Sequence, residues 1–188
     1  MNEELVFEMC LKSKSKNPIE IVQSMMDLEE CRIHGPEHHL LVGAALLTAY
    51  KNAGGELELK ASLKELQNRS KNVPGGACGF WGACGAGISS GMFMSIISKS
   101  GPLENKPFGL SNLMTSKSLG AIGAVGGPRC CKRDSFLSIL SAVDFVRENL
   151  GVEMGKTVPA CKYSEKNSQC IGERCPFHKK LVKRGKYV

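Results

Sequence analysis

From Leu40 to Leu47 the chain reads Leu-Leu-Val-Gly-Ala-Ala-Leu-Leu, without one polar side chain. Wound as a helix, this run is apolar almost all round, and such a helix must be enclosed by others to leave water. It predicts a central buried helix that starts just after Gly35, with Pro36 at the first position, and stops at Gly54-Gly55. The fold class expected is therefore all-α, a compact helical bundle.

Other helices follow from capping and periodicity. Asn17 caps a helix with Pro18 at its first position and Glu20 as the capping-box acid. Ile19, Val22, Met25, Met26 and Leu28 form its apolar face, which ends near Cys31. A more polar helix is expected over 58–69, another from the loop at 74–87 to about Ser98, and two more over 112–125 and 130–149. In the helix ending near Ser98, Ala83, Gly87 and Gly91 recur every four residues, so one face lacks side-chain bulk and lets a neighbour approach. From Pro159 the chain turns loop-like and Cys-rich. The expected division is a helical domain over 1–155 and, over 156–188, a Cys-rich C-terminal extension ordered by a metal staple, with a basic tail.

Residues 73–98 carry no charge and are long enough to cross a bilayer. Their seven glycines and four serines favour a closely packed buried helix, so no membrane is expected. The net charge of +7 is unevenly spread: Lys179, Lys180, Lys183, Arg184 and Lys186 lie in the last eleven residues, and without them the balance is +2. The tail is read as a solvated terminus, with a weak RNA contact as its functional alternative. Nine cysteines, an odd number, on a chain that begins with two acids and no apolar leader, point to a reducing cytoplasmic setting. There, clustered thiols bind metal or react more often than they pair.

Four constellations carry candidate chemistry. His34-Gly-Pro-Glu37-His38-His39 sets imidazoles at a helix start, where metal binding or proton transfer is possible and Glu37 can orient or deprotonate. Cys78 and Cys84 flank a glycine-rich loop whose N–H groups, at Gly79 and Gly85, can face a thiolate or a cluster sulfur. Gly127-Pro-Arg-Cys130-Cys131-Lys-Arg places two thiols at a helix N-terminus beside three cations, which favours thiolate at either one. Cys161, Cys170, Cys175 and His178 have the number and type of ligands that close a four-ligand site, for zinc or for an iron–sulfur cluster. The central site is read as His34, His38, Cys78, Cys84, Cys130 and Cys131 together.

From about residue 30 onward, these four motifs resemble an uncharacterised Cys/His-rich family of unknown function. That family is found mostly in anaerobic archaea and bacteria and is sometimes joined to methyltransferase or radical-SAM domains. The resemblance transfers no activity. It implies iron–sulfur over zinc at the central site, and a methyltransferase or radical-SAM enzyme as partner. The leading expectation is a metal- or iron–sulfur-binding protein of sulfur or redox metabolism. Two others stand beside it. One is a metal-free thiol or persulfide transferase with Cys130 or Cys131 as nucleophile and His38 as base. The other is an accessory module that binds RNA or a partner enzyme.

Overall fold

The computed structural model describes residues 1–183, and within them the chain is a helical bundle without strands. The elements are α1 (Glu3–Lys12), α2 (Pro18–Met26), α3 (His38–Asn52), α4 (Leu59–Ser70), α5 (Ala77–Phe80), α6 (Gly85–Ile97), α7 (Asn105–Val125), α8 (Cys131–Leu150) and α9 (Lys179–Lys183), with 3-10 turns at Ser164–Lys166 and Gly172–Arg174.

Helix α3 is the axis of the bundle. Every residue from Leu40 to Tyr50 is buried, and α1, α2, α4, α6 and α8 all pack on it. Asn17 caps α2 as expected, its side chain accepting the Ile19 N–H at 3.1 Å. Glu20 meets the Asn17 amide group instead of its backbone N–H. The small-residue face of α6 is where α7 approaches. A side chain at Gly87 would run into Leu119, and one at Gly91 would come within 1.8 Å of Thr115 Oγ1. Buried Ser90 and Ser118 hydrogen-bond between the same two helices at 2.8 Å.

Several elements differ from expectation, among them α3, which begins at His38 and not at Pro36. Helix α1 was not anticipated: only Val6 and Cys10 are buried on it, too sparse a stripe to stand out in a Lys/Glu-rich segment. Helix α7 begins at Asn105 rather than Asn112, because Pro107 sits in the first turn, where a missing N–H costs no helical bond. Among the described residues no helix is long and apolar enough to cross a membrane.

The expected metal-stapled C-terminal extension is not what forms. Tyr163, Cys175 and Phe177 belong to the same core cluster as Leu41, Phe136 and Ile139, and the Phe177 ring meets Phe136 edge-on at 5.4 Å. The segment also closes on itself, with the Cys161 N–H bonded to the Phe177 carbonyl at 2.7 Å. Ordinary core burial orders it. Cysteines are spread through the chain, and among the described residues the donor group close enough to hold an ion lies far from the C-terminal segment, at Cys31, Glu37 and His38.

Candidate metal centre

Three donor atoms, one each from Cys31, Glu37 and His38, lie within 4.8 Å of one another where the chain passes from α2 into α3. His38 opens α3 and is 1% exposed. Its Nδ1 faces the Gly35 carbonyl at 3.0 Å, which fixes the tautomer with the proton on Nδ1, while Nε2 is buried with no hydrogen-bond partner. Burial first, and Lys132 second, hold its pKa down at about 3, so the imidazole is neutral and its free lone pair is on Nε2. A neutral imidazole anchored through its other nitrogen is the form in which histidine ligates metals.

Glu37 folds back over the turn, and Gly35 makes room for it: a Cβ there would lie 2.1 Å from Glu37 Oε2. Its carboxylate accepts the Arg32 backbone N–H at 3.0 Å and the Arg32 guanidinium at 3.2 and 2.8 Å. Burial pushes the Glu37 pKa up, but the Arg32 bonds prevail and hold it below the usual range, so the group is anionic. Burial raises the Cys31 thiol, and the Lys132 ammonium, 3.1 Å from the sulfur, opposes that rise. Lys132 is itself buried, 4.8 Å above the Tyr163 ring and 3.5 Å from the Met26 carbonyl.

His38 also borders a small chamber, lined by His39, Cys78, Cys84, Gly85, Arg129, Cys131 and Asp134. The turn between Cys78 and Cys84 does bring both onto one chamber. Gly85 is required there, since a Cβ would lie 2.2 Å from the His39 ring, which is held to the Val73 carbonyl at 3.2 Å. Outside, a groove of about 490 Å³ continues past Cys78, Gly79, Cys84 and Asp134, with Phe80 at its edge, 90% exposed.

The remaining predicted residues are placed as follows. Cys130 does not share the chamber with Cys131; it lines a separate cavity with Cys161, Cys170 and Cys175. His34 Nε2 bonds Asn167 Oδ1 at 3.0 Å, away from the three-donor group. His178 does not border the cysteine cavity, and its Nδ1 is buried without a partner. The three cations near Cys130 and Cys131 do not produce thiolates. Arg129 is exposed, Lys132 turns to Cys31, and Arg133 bonds Asp134 at 3.0 Å and the carbonyls of Gly126 and Pro128 at 2.8 and 3.0 Å. Burial therefore dominates and lifts Cys131 to about 11 and Cys84 to about 12. Of the tail lysines, Lys179 pairs with Glu165, and Lys180 with Glu173 at 3.6 Å. Arg184 and Lys186 lie outside the described residues.

Sequence reasoning missed Cys31, Lys132 and Asp134. Cys31 stands only six residues before Glu37, and that spacing was the available signal. Lys132 and Asp134 gave none, since charged residues in a helix's first turn ordinarily face solvent.

Residues 6–178 match the model of a family described as "Family of unknown function (DUF5714)". No curated protein and no solved structure matches the chain.

Proposed function

The chain belongs to the DUF5714 family, whose description assigns no activity, so its function has to be read from its own residues, and we propose that it binds a single transition-metal ion through Cys31, Glu37 and His38. The observation that carries this reading is the buried, partnerless Nε2 of a neutral His38 in a group whose donor atoms lie within 4.8 Å of one another. A thiolate, an imidazole and a carboxylate suit one zinc-type ion better than a cluster, whose ligands are mainly thiolates. Three protein ligands leave a fourth coordination position for water or substrate, the arrangement of catalytic rather than structural zinc. In the metal-free protein Arg32 neutralises the Glu37 carboxylate and Cys31 is a protonated thiol beside Lys132, so binding releases the Cys31 proton. The neighbouring chamber, with the thiols of Cys78, Cys84 and Cys131, supports a role in sulfur chemistry on a small ligand entering by the groove.

The test is metal content and affinity of the full chain, purified without chelator and titrated with zinc after metal removal. One ion per chain is expected, with affinity falling in Cys31→Ser and in Glu37→Gln by more than the roughly 10- to 100-fold that loss of an outer-shell partner costs. Circular dichroism keeps loss of fold separate. Wild-type affinity in both folded variants would overturn the assignment.

A further inference from the structure

The cavity that takes Cys130 away from the chamber holds four cysteines. Cys130 comes from the N-cap of α8, and Cys161, Cys170 and Cys175 from the loops packed against that helix. The other walls are the apolar or aromatic side chains of Phe136, Tyr163, Ile171 and Phe177 and the polar residues Arg133, Ser164 and Asn167.

Two of the four sulfurs accept an N–H: Cys170 Sγ takes the Gly172 N–H at 3.4 Å, and Cys130 Sγ takes the Asn167 side-chain amide at 3.6 Å. A neutral thiol is a weak acceptor and does not repay such an arrangement, whereas a metal-bound thiolate does. Asn167 is itself held in place by His34 Nε2 at 3.0 Å and by the Gln169 N–H at 3.0 Å, so its amide is aimed and not merely nearby.

Spacing decides what the four sulfurs hold. Around one zinc, with Zn–S about 2.3 Å, tetrahedral thiolates lie about 3.8 Å apart. Among the described residues the only donors that gather three within 4.8 Å are Cys31, Glu37 and His38, so no three of these sulfurs are that close. Thiolates on a cluster bind separate irons and stand farther apart. We infer that Cys130, Cys161, Cys170 and Cys175 form a second centre, distinct from the three-donor site, that binds a four-thiolate [4Fe–4S] cluster. The enclosed void is small, about 20 Å³, so entry requires the 3-10 turn after Cys170, the exposed member of the set, to move outward.

A synthetic [4Fe–4S] cluster carrying four small-thiolate ligands is the probe, added anaerobically to the full chain. Four protein thiols replace the four small thiolates and hand them their protons, and no electron is transferred. About four iron and four acid-labile sulfide per chain should survive gel filtration, with thiolate-to-iron absorbance in the visible. Cys161→Ser and Cys170→Ser should retain more than about tenfold less iron. Cys31→Ser, which disables only the three-donor site, should retain it all. Cys170→Ser is the safer variant because Cys170 is exposed, and its helicity should match wild type. The inference is overturned if wild type keeps no sulfide, if both Cys→Ser variants keep wild-type iron, or if the four cysteines take up one zinc per chain and exclude the cluster.

Discussion

Replacing Gly91 by alanine tests how tightly α7 is laid on α6. On an isolated helix the change stabilises by about 1 kcal/mol. Here the new Cβ would stand 1.8 Å from Thr115 Oγ1, 3.2 Å from Thr115 Cβ and 3.3 Å from the Ser111 carbonyl. Rotating the hydroxyl away breaks its bond to that carbonyl at 3.1 Å and still leaves the Cβ contact, so the helices must separate. Overpacking of this kind costs about 1–3 kcal/mol. Set against the propensity gain, this leaves Gly91→Ala destabilised by up to about 2 kcal/mol, a fall in Tm of up to about 8 °C for a chain of this size. Removing Thr115 Oγ1 in Gly91→Ala/Thr115→Ala leaves only a contact a few tenths of an ångström too close. The double variant should therefore recover most of the loss, with a coupling of about 1–2 kcal/mol in a double-mutant cycle. Urea and thermal denaturation followed by circular dichroism measure both quantities. If Gly91→Ala is as stable as wild type and the cycle is additive, the close approach of α6 and α7 is not as described.

Two further outcomes follow from the buried titrating groups. His38 has a folded pKa of about 3 against an ordinary 6.5, so between these values the unfolded chain binds the extra proton. Stability of metal-free protein should then fall by up to about 1.4 kcal/mol per pH unit as pH drops below 6.5, and urea titrations of folded His38→Gln should show a flatter slope. A slope unchanged by the substitution would remove His38 from that account. Alkylation mapped by mass spectrometry in metal-free protein should label exposed Cys170 first and fully buried Cys10 last, with Cys84 and Cys131 much slower than Cys170 because burial suppresses their thiolates. Rapid labelling of Cys131 would favour a nucleophilic thiol instead.

Much of the bundle was legible because its signals are local. The all-apolar run of α3, the Asn17 cap and the Gly87/Gly91 face each state their role within a few residues. Gly151, in the left-handed region at φ 67°, closes α8 as expected. The surroundings of the candidate ligands were less legible because the residues that meet there are distant in the chain. Lys132 and Cys31 are 101 residues apart, and Asn167 and His34 are 133. Cys130 and Cys131 were assigned to one centre because they are adjacent, yet successive residues at a helix start diverge by about 100° around the axis. Their surroundings settle where each one goes. The C-terminal segment looked poor in apolar residues, but the few it has, Tyr163 and Phe177 above all, are the ones that reach the core.

The start of α8 sends five consecutive residues to partners on several sides. Cys130 borders the four-cysteine cavity, Cys131 the chamber beside His38, Lys132 reaches Cys31, Arg133 ties down the 126–128 loop, and Asp134 accepts from Cys84 at 3.8 Å and from the Cys130 N–H at 3.4 Å. No sliding or rotation of this helix can adjust one of these contacts and spare the rest. Substitutions along this turn should accordingly be tolerated only in concert, even where the residues concerned never touch.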